Sequence, residues 1–543
     1  MLSQSEGTLS TEQHRSEHFR RRPNVLIVVL DCVRSTDFPG VGEIPRSMPL
    51  VESLKRRSIT FPKAVAPSSW TLPSHASLFT GLYPWEHGAH LRVEPRLDGR
   101  SPTLAEVLRA DGYAAASFSA NGLICSNLGL VRGFDVAAWG QRWERYFRFS
   151  SWWERSHLVE NGSARNLEAA GDQNGEQANP PRKAALPSLS RLESRLRETG
   201  ISESRVRATA LRTWLARSWN LASQVGLFLD EGSAESSIGR ISPWIEPSLA
   251  SWVQRQPRER PVFCFINFFE AHEPYLIPFS RSLGLTEWWR RLAIPSDGVP
   301  LIGGQWRPNA WEFNALHEAY QAAVRSLDAR LREVIRVFQD AERWDNTLMI
   351  LTSDHGQAFG EHGFFGHSLL VWEPLVRVPL LVRLPRDEFG GATGTGWTSL
   401  IDVFPTVLEV CGASGPSSPH AISLRYLIDN PRPTPLLTMA DGVIQGPRLR
   451  KVAGEARFLE WDSPLVAAYQ DEEKVIADVH RERVEWFDLR RDPGEAHGIS
   501  RPTSERSDPL VRLATEVATK YFGFAPGNQR DEVMENLRSW GYE

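Results

Sequence analysis

Residues 25–30, Val-Leu-Ile-Val-Val-Leu, form an unbroken apolar run that is followed at once by Asp31. A strand made of such residues offers no polar face to water, so it has to be covered on both sides, as in the centre of a parallel sheet. In open α/β sheets ligands bind at the carboxyl ends of the strands, which makes Asp31 a candidate functional residue. The rest of the chain to about residue 412 repeats the same alternation. A helix-like stretch from Leu50 to Arg57 and a short strand at Ile59 to Phe61 come first. A helix from Leu104 to Ala110 with a glycine stop at Gly112 then precedes the strand Ala114 to Ser119. Residues 262–269, Val-Phe-Cys-Phe-Ile-Asn-Phe-Phe, read as a second buried strand, and helical spacing runs from Trp311 to Ala341. The strand Thr347 to Leu351 leads directly into Thr352-Ser353-Asp354-His355-Gly356; a strand at Val378 to Leu384 and a helix from Asp402 to Val410, stopped at Gly412, complete the series. The fold class is α/β.

Beyond about residue 430 the pattern changes to short strands without long helices between them: Arg448 to Ala453, Ala456 to Trp461, Val475 to Val479 and Arg483 to Leu489. This predicts a small C-terminal antiparallel sheet, closed by a helix near Leu510 to Tyr521. At 543 residues the chain exceeds the size of a single ordinary core, so we divide it into a leader at 1–22, a catalytic domain at 23–425 and a small α+β subdomain at 426–543. Within the catalytic part, residues 140–258 read as a helical insertion whose polar Gly- and Pro-containing tract, ENGSARNLEAAGDQNGEQANPPRKAALP, forms a mobile loop. Tryptophans cluster around its start, at Trp139, Trp143, Trp152 and Trp153, and again at Trp288-Trp289. Aromatic faces suit a sugar or aryl ring, although packing of the insertion accounts for them as well.

Charge excludes some partners. The 62 basic and 66 acidic residues nearly cancel, so nothing calls for nucleic acid. The apolar runs are far shorter than the ~20 residues that cross a bilayer, which predicts no membrane anchor. Residues 1–22 lack the apolar core of a secretory signal, so the expected location is cytoplasmic. The four cysteines, Cys32, Cys125, Cys264 and Cys411, are far apart and mostly in apolar segments, which predicts reduced core residues in a reducing compartment.

Two motifs carry chemistry. In SSWTLPSHASLFTGLYP, Thr71 precedes a Leu-Pro step and a run that can start a helix, whose N-terminus favours anions. Taken alone, Thr71 reads as a helix N-cap. Held against a metal that lowers its pKa, the same hydroxyl is a nucleophile toward a phosphoryl or sulfuryl centre. In TSDHGQAFGEHGFFGHS, Asp354 and His355 stand side by side beyond a buried strand, and His362 and His367 follow in a glycine-rich loop. Carboxylate with imidazole suits a divalent cation: oxygen ligands favour calcium, and histidine shifts the balance toward zinc or manganese.

From about Pro23 to Gly412 the chain resembles the sulfatase family of the alkaline-phosphatase superfamily, with a weaker echo at FDLRRDPGEA. PNVLIVVLD resembles the family's first strand and metal aspartate, TLPSHASLFTGLYP its nucleophile loop, and TLAEVLRADGYAAASFSAN the helix and strand that follow. NFFEAHEPY is similar to the segment bearing an active-site histidine; SLDARLREVI, DNTLMILTSDHGQAFGEHG and EPLVRVPLLVRLP complete the order. The resemblance implies a large mixed, mostly parallel sheet flanked by helices. It also implies Asp31, Thr71, Asp354 and His355 as metal ligands, Thr71 as nucleophile, and His272 and His367 as residues that hold substrate oxygens or assist the leaving group. His75 falls where many sulfatases have arginine, and Glu361 and His362 match family positions that we read as structural.

Departures from the pattern narrow the expectation. Sulfatases usually present C-x-P-S-R or S-x-P-S-R, whose Cys or Ser becomes formylglycine; this chain has Thr71-Leu72-Pro73-Ser74-His75, so formylglycine is not expected. The family's Asp-Asp pair is Asp31-Cys32 here, and its lysine-and-histidine motif is not visible near Asn121. We therefore expect a metal-dependent hydrolase of a small-molecule or glycan ester, sulfuric or phosphoric, with metal-bound Thr71 as nucleophile. Threonine at this position is similar to the phosphoglycerol and phosphoethanolamine transferases of the same superfamily, so head-group transfer is the alternative. A catalytically silent binding protein is a third reading, against which the intact set of Asp31, Thr71, Asp354 and His355 speaks.

Overall fold

The computed structural model describes residues 22–39, 48–90, 96–139, 242–273, 275, 290–291, 294–295, 297–441, 450, 454, 458, 461–478, 480–502 and 508–522. Residues 1–21 of the leader, residues 140–241 of the 140–258 insertion, and Trp288 and Trp289 lie outside these residues, and with them Trp143, Trp152 and Trp153.

A seven-stranded sheet is the centre of the molecule. In chain order its strands are β1 (Asn24–Leu30), β2 (Ile59–Thr60), β3 (Ala114–Ser119), β4 (Val136–Trp139), β5 (Val262–Phe268), β6 (Thr347–Thr352) and β7 (Leu380–Arg383). Their spatial order is β2-β7-β6-β1-β5-β3-β4. β6, β1, β5, β3 and β4 run parallel, and β7 pairs antiparallel with both β6 and β2. The sheet is mixed and mostly parallel, as expected. Every residue of β1 is buried. Its alternate side chains enter two separate cores: Leu26, Val28 and Leu30 on one face, Val25, Ile27 and Val29 on the other. An unbroken apolar run is what such double coverage requires.

Helices α1 (Pro49–Lys55), α2 (Thr71–Thr80), α3 (Leu104–Ala110), α4 (Ile245–Gln254), α5 (Ala310–Asp340) and α6 (Val403–Cys411) flank the sheet. α5 buries Leu316, Tyr320, Val324, Leu327, Leu331, Val334 and Phe338, a stripe at three- and four-residue spacing. Its start is fixed by a capping box in which Asn309 Oδ1 accepts from the Glu312 amide and Glu312 Oε2 accepts from the Asn309 amide. On the opposite face α2 ends at Gly81, whose φ of 70° and close approach to Phe404 of α6 leave no room for a side chain.

The C-terminal sheet is antiparallel throughout: β8 (Leu436–Ala440), β9 (Leu465–Gln470), β10 (Glu473–Asp478), β11 (Arg483–Asp488) and β12 (Ile499–Pro502), in that spatial order. Helix α7 (Pro509–Phe522) packs on one face. The two expected strands Arg448 to Ala453 and Ala456 to Trp461 lie almost wholly outside the described residues. Arg450, Phe458 and Trp461 are helical, and the amides of Gly454, Phe458 and Asp462 donate to the carbonyls of Arg450, Gly454 and Phe458 at four-residue spacing. The strands at Leu436–Ala440 and Leu465–Gln470 take the two edge-side places. No described helix is long and apolar enough to cross a membrane.

Candidate active site

Parallel strands deliver one polar centre at their carboxyl ends. β1 terminates in Asp31, fully buried, whose amide donates to the Phe268 carbonyl at 2.9 Å. The chain then turns through Cys32 at φ 63°, a left-handed conformation that costs a non-glycine residue about 1–2 kcal/mol. Tyr320 of α5 holds that turn. Its hydroxyl donates to the Cys32 carbonyl at 3.1 Å and accepts from the Arg34 amide at 2.9 Å, and Ser353 Oγ accepts from the Val33 amide at 2.9 Å. The turn leaves the Cys32 thiol 3.4 Å from Asp31 Oδ1.

β6 supplies the facing groups. Asp354 Oδ1 accepts from the amides of His355 at 3.0 Å and Cys32 at 3.4 Å. The His355 Nδ1 proton is donated to the Gly356 carbonyl at 2.9 Å, which leaves Nε2 as a lone pair. That atom lies 3.4 Å from Asp354 Oδ2, 3.9 Å from Asp31 Oδ1 and 3.4 Å from Thr71 Oγ1. Thr71 is the first residue of α2; the preceding Trp70 occupies the N-cap position and supplies no side-chain cap. The N-cap reading of Thr71 is thereby set aside, because its hydroxyl points at His355 and Asn121 and not back at the helix. Asn121, just beyond β3, donates to Asp31 Oδ2 at 2.7 Å and to Thr71 Oγ1 at 3.4 Å. Asn267 of β5 reaches the same Asp31 oxygen at 3.3 Å.

Three imidazoles line the other side. The His355 and His367 rings stack 4.4 Å apart, and His272 meets His367 edge-on at 5.0 Å. Gln357 braces this wall by donating to Glu273 Oε2 at 2.9 Å and accepting from His367 Nδ1 at 2.8 Å. His75, one turn into α2, donates from Nδ1 to the Thr71 carbonyl at 2.9 Å, and its Nε2 faces the Asn267 amide at 3.5 Å. Burial pushes its pKa down to about 3, so the residue in the arginine position carries no charge. Glu361 pairs with Arg34 at 2.7 Å, and His362 stacks on Trp372.

The electrostatics ask for a cation. Burial, and then the charge of Asp354, raises the pKa of Asp31; burial pushes Asp354 up to about 7 against the amides of Cys32 and His355. Asp354 Oδ2 is buried with no hydrogen-bond partner among the described residues. Two buried carboxylates that resist ionisation, an orphaned carboxylate oxygen and a lone-pair imidazole nitrogen fit a divalent ion. Asp31, Cys32 and His355 form one group whose ligand atoms all lie within 4.8 Å of one another, and Cys32, His272, Glu273 and His367 form a second.

The structure thus brings together all the residues singled out in the sequence: Asp31, Thr71, His272, Asp354, His355 and His367. It also adds Cys32, Asn121, Asn267, Glu273 and Gln357. Cys264 and Cys411 are buried core thiols as expected, but Cys32 is corrected from core packing to site lining, because the left-handed turn rotates it toward Asp31. Asn267 carried a readable signal, being the single amide within the apolar run 262–269.

Fold and site define an α/β enzyme with a cluster of potential cation ligands at the carboxyl edge of its sheet. Residues 23–413 match the family model described as Sulfatase. The chain belongs to the sulfatase family of the alkaline-phosphatase superfamily, and is a hydrolase acting on sulfate or phosphate esters. It is 20% identical over 540 residues to an N-acetylglucosamine-6-O-sulfatase of Bacteroides thetaiotaomicron, covering 95% of this chain and 90% of that one. It is 24% identical over 435 residues to the multifunctional alkaline phosphatase superfamily protein PehA of Trinickia caryophylli, covering 76% and 78%. The crystal structure of the phosphonate monoester hydrolase of Agrobacterium radiobacter superposes with a TM-score of 0.58 at 18% identity, over 95% and 96% of the two chains.

Proposed function

We propose that this chain is a metal-dependent hydrolase of a sulfuric or phosphoric ester in which Thr71 Oγ1 is the nucleophile, residues 23–425 form the catalytic domain and 426–543 a closing subdomain. One observation carries the reading: Thr71 Oγ1 sits at the first turn of α2, 3.4 Å from His355 Nε2 and 3.4 Å from Asn121 Nδ2, beside the orphaned oxygen of Asp354. Asp31, Thr71, Asp354 and His355 would hold the divalent cation, whose charge, when bound, lowers the proton affinity of the hydroxyl and screens the ester oxygens. Asn121 orients both Asp31 and Thr71 through one amide group. Thr71 carries a methyl on Cβ where a Cys or Ser would become an aldehyde, so it works as an unmodified alcohol.

In-line attack forms a bond from Thr71 Oγ1 to phosphorus or sulfur and breaks the bond to the departing alcohol, which takes up a proton from the histidine wall. His272 is the donor in this reading. Burial opposes its charged form, but Glu273 and Asp31 outweigh burial and raise its pKa, whereas burial and the neighbouring imidazoles hold His367 well below the usual range. Water then opens the threonine ester and regenerates the hydroxyl. The substrate is a small-molecule or glycan ester, a class in keeping with the relative named as an N-acetylglucosamine-6-O-sulfatase.

Thr71→Ala is the test. Turnover of aryl sulfates and aryl phosphate mono- and diesters should fall on the order of a thousandfold or more, with the thermal unfolding midpoint unchanged. Equal rates in variant and wild type would show the nucleophile assignment wrong. With glycerol present, product analysis separates hydrolysis from head-group transfer: a glycerol ester that outpaces free acid would replace the hydrolase reading by the transferase one.

A further inference from the structure

We propose that Asp441, the residue directly after β8, is a positioning residue that aims Thr71 by holding the indole of Trp70. The inference deepens the reading above and rests on Thr71 as nucleophile. Trp70 Nε1 donates to Asp441 Oδ1 at 3.0 Å across 371 positions of chain. Oδ2 of the same carboxylate faces His90 Nδ1 at 3.6 Å, so both oxygens are engaged. Trp70 is buried, and no part of the Asp441 side chain is exposed. A carboxylate taken out of water is unfavourable unless its oxygens are paired, and an indole N–H can only donate. Packing alone is served by an apolar neighbour. An acidic one also fixes how the indole is turned, because the charged acceptor makes the stronger and more directional bond.

Trp70 is where the backbone changes course. It is extended, at φ −155° and ψ 166°, and Thr71 is already the first helical residue of α2. Trp70 gives the helix no side-chain cap, so the direction in which Thr71 leaves it depends on what holds the indole. The chain leading to Trp70 is fastened to the C-terminal sheet as well. Thr438 Oγ1 donates to the Ala66 carbonyl at 2.7 Å, and the Met439 amide donates to the Pro67 carbonyl at 3.0 Å. Residues 438, 439 and 441 thus grip residues 66, 67 and 70 in parallel order. The other ties run to the catalytic turns: the Ser368 amide, next to His367, donates to the Ser69 carbonyl at 2.9 Å, and Ser74 Oγ donates to the Asp354 carbonyl at 2.5 Å. Asp441 is the contact of the C-terminal sheet that lies one residue from the nucleophile. Without it the helix and its buried face persist, but the indole is free to turn and Thr71 Oγ1 shifts with it. A displacement of about 1 Å in a reacting group is enough to slow turnover on the order of a hundredfold.

The experiment measures kcat and KM of the full chain with para-nitrophenyl sulfate and phosphate esters. Trp70→Phe removes the N–H donor and keeps a buried ring; Asp441→Ala removes the acceptor. Each should lower kcat about ten- to a hundredfold with KM within about threefold of wild type. The double variant should be no slower than the slower single one, because both changes delete one contact. Asp441→Asn keeps an acceptor oxygen for the indole and should recover kcat to within about fivefold of wild type, a rescue that a purely structural role does not produce. Should Asp441→Ala fail to fold, Trp70→Phe and Asp441→Asn carry the same comparison. Thr71→Ala is measured alongside. If it is inactive while Trp70→Phe keeps the wild-type kcat, the positioning role alone is overturned. Losses that multiply in the double variant, or Asp441→Asn as slow as Asp441→Ala, overturn it too. If Thr71→Ala itself keeps the wild-type kcat, the nucleophile reading has failed and the positioning role falls with it.

Discussion

Gly356 lies immediately after the Asp354-His355 pair, and its position against the segment Glu373–Val376 gives the most direct test of how the site is held. A Cβ added there would stand 2.1 Å from the Pro374 carbonyl oxygen and 3.0 Å from its carbon, both backbone atoms. Reaching an ordinary contact of ~3.3 Å requires a separation of about 1 Å between the two segments. They are joined by two hydrogen bonds, Gly356 N–H to the Leu375 carbonyl at 2.7 Å and Gln357 N–H to the Pro374 carbonyl at 2.9 Å, and both must stretch or break. Overpacking costs about 1–3 kcal/mol and each lost hydrogen bond about 1 kcal/mol more, so Gly356→Ala should destabilise the chain by about 3–5 kcal/mol. A domain of ordinary stability survives that loss, which leaves activity measurable. Displacing Asp354 and His355 by about 1 Å should lower kcat/KM on the order of a hundredfold. Urea unfolding and turnover of an aryl ester read the two effects separately. A variant within about 0.5 kcal/mol of wild type would refute the claim that close backbone approach positions the Asp354-His355 turn.

Lys474 of β10 is fully buried and holds Glu373 Oε1 at 3.1 Å, Glu495 Oε1 at 2.5 Å and the Val371 carbonyl at 2.7 Å. Lys474→Met strands two buried carboxylates and should cost about 3–5 kcal/mol in urea unfolding; an unchanged midpoint would mean that this cluster does not fasten the C-terminal sheet to the catalytic domain. His87 is buried neutral, its Nδ1 accepting from the Ala89 amide at 3.0 Å and its Nε2 bonded to Ser77 Oγ at 3.1 Å, and burial pushes its pKa down to about 3. Because the unfolded chain binds that proton near pH ~6.5, the contribution is fully present above that pH and is lost as pH falls toward 3, by on the order of 4 kcal/mol. His87→Gln should flatten the stability profile between those limits, and identical slopes would discount the assignment.

Much of this molecule was legible in one dimension because its signals are local. A strand covered on both sides needs an unbroken apolar run, so β1, β5 and β6 announced themselves, and the three- and four-residue stripe of α5 did the same. Where the signal was shorter than a helical turn it failed. The short edge strand β4 and the strands β8, β9 and β12 escaped notice because pairing with a neighbour, and not the pattern of their own residues, makes them strands.

The sequence by itself determined the α/β class, the family, and the residue types of the site, because ordered motifs place Asp31, Thr71, Asp354 and His355 at strand ends and a helix start. Tertiary structure alone decided what surrounds them. Asn121, Asn267 and Glu273 reach the site from strands widely separated in the chain, and Gln357 matters only because Glu273 and His367 flank it. Cys32 shows the division most sharply. Its sequence neighbours are apolar or acidic, consistent with a core thiol, yet a left-handed turn pinned by Tyr320, 288 positions away, swings its sulfur into the polar centre. Local pattern fixes which face of an element is apolar; the long-range hydrogen bonds that aim a single side chain exist only once the sheet has closed.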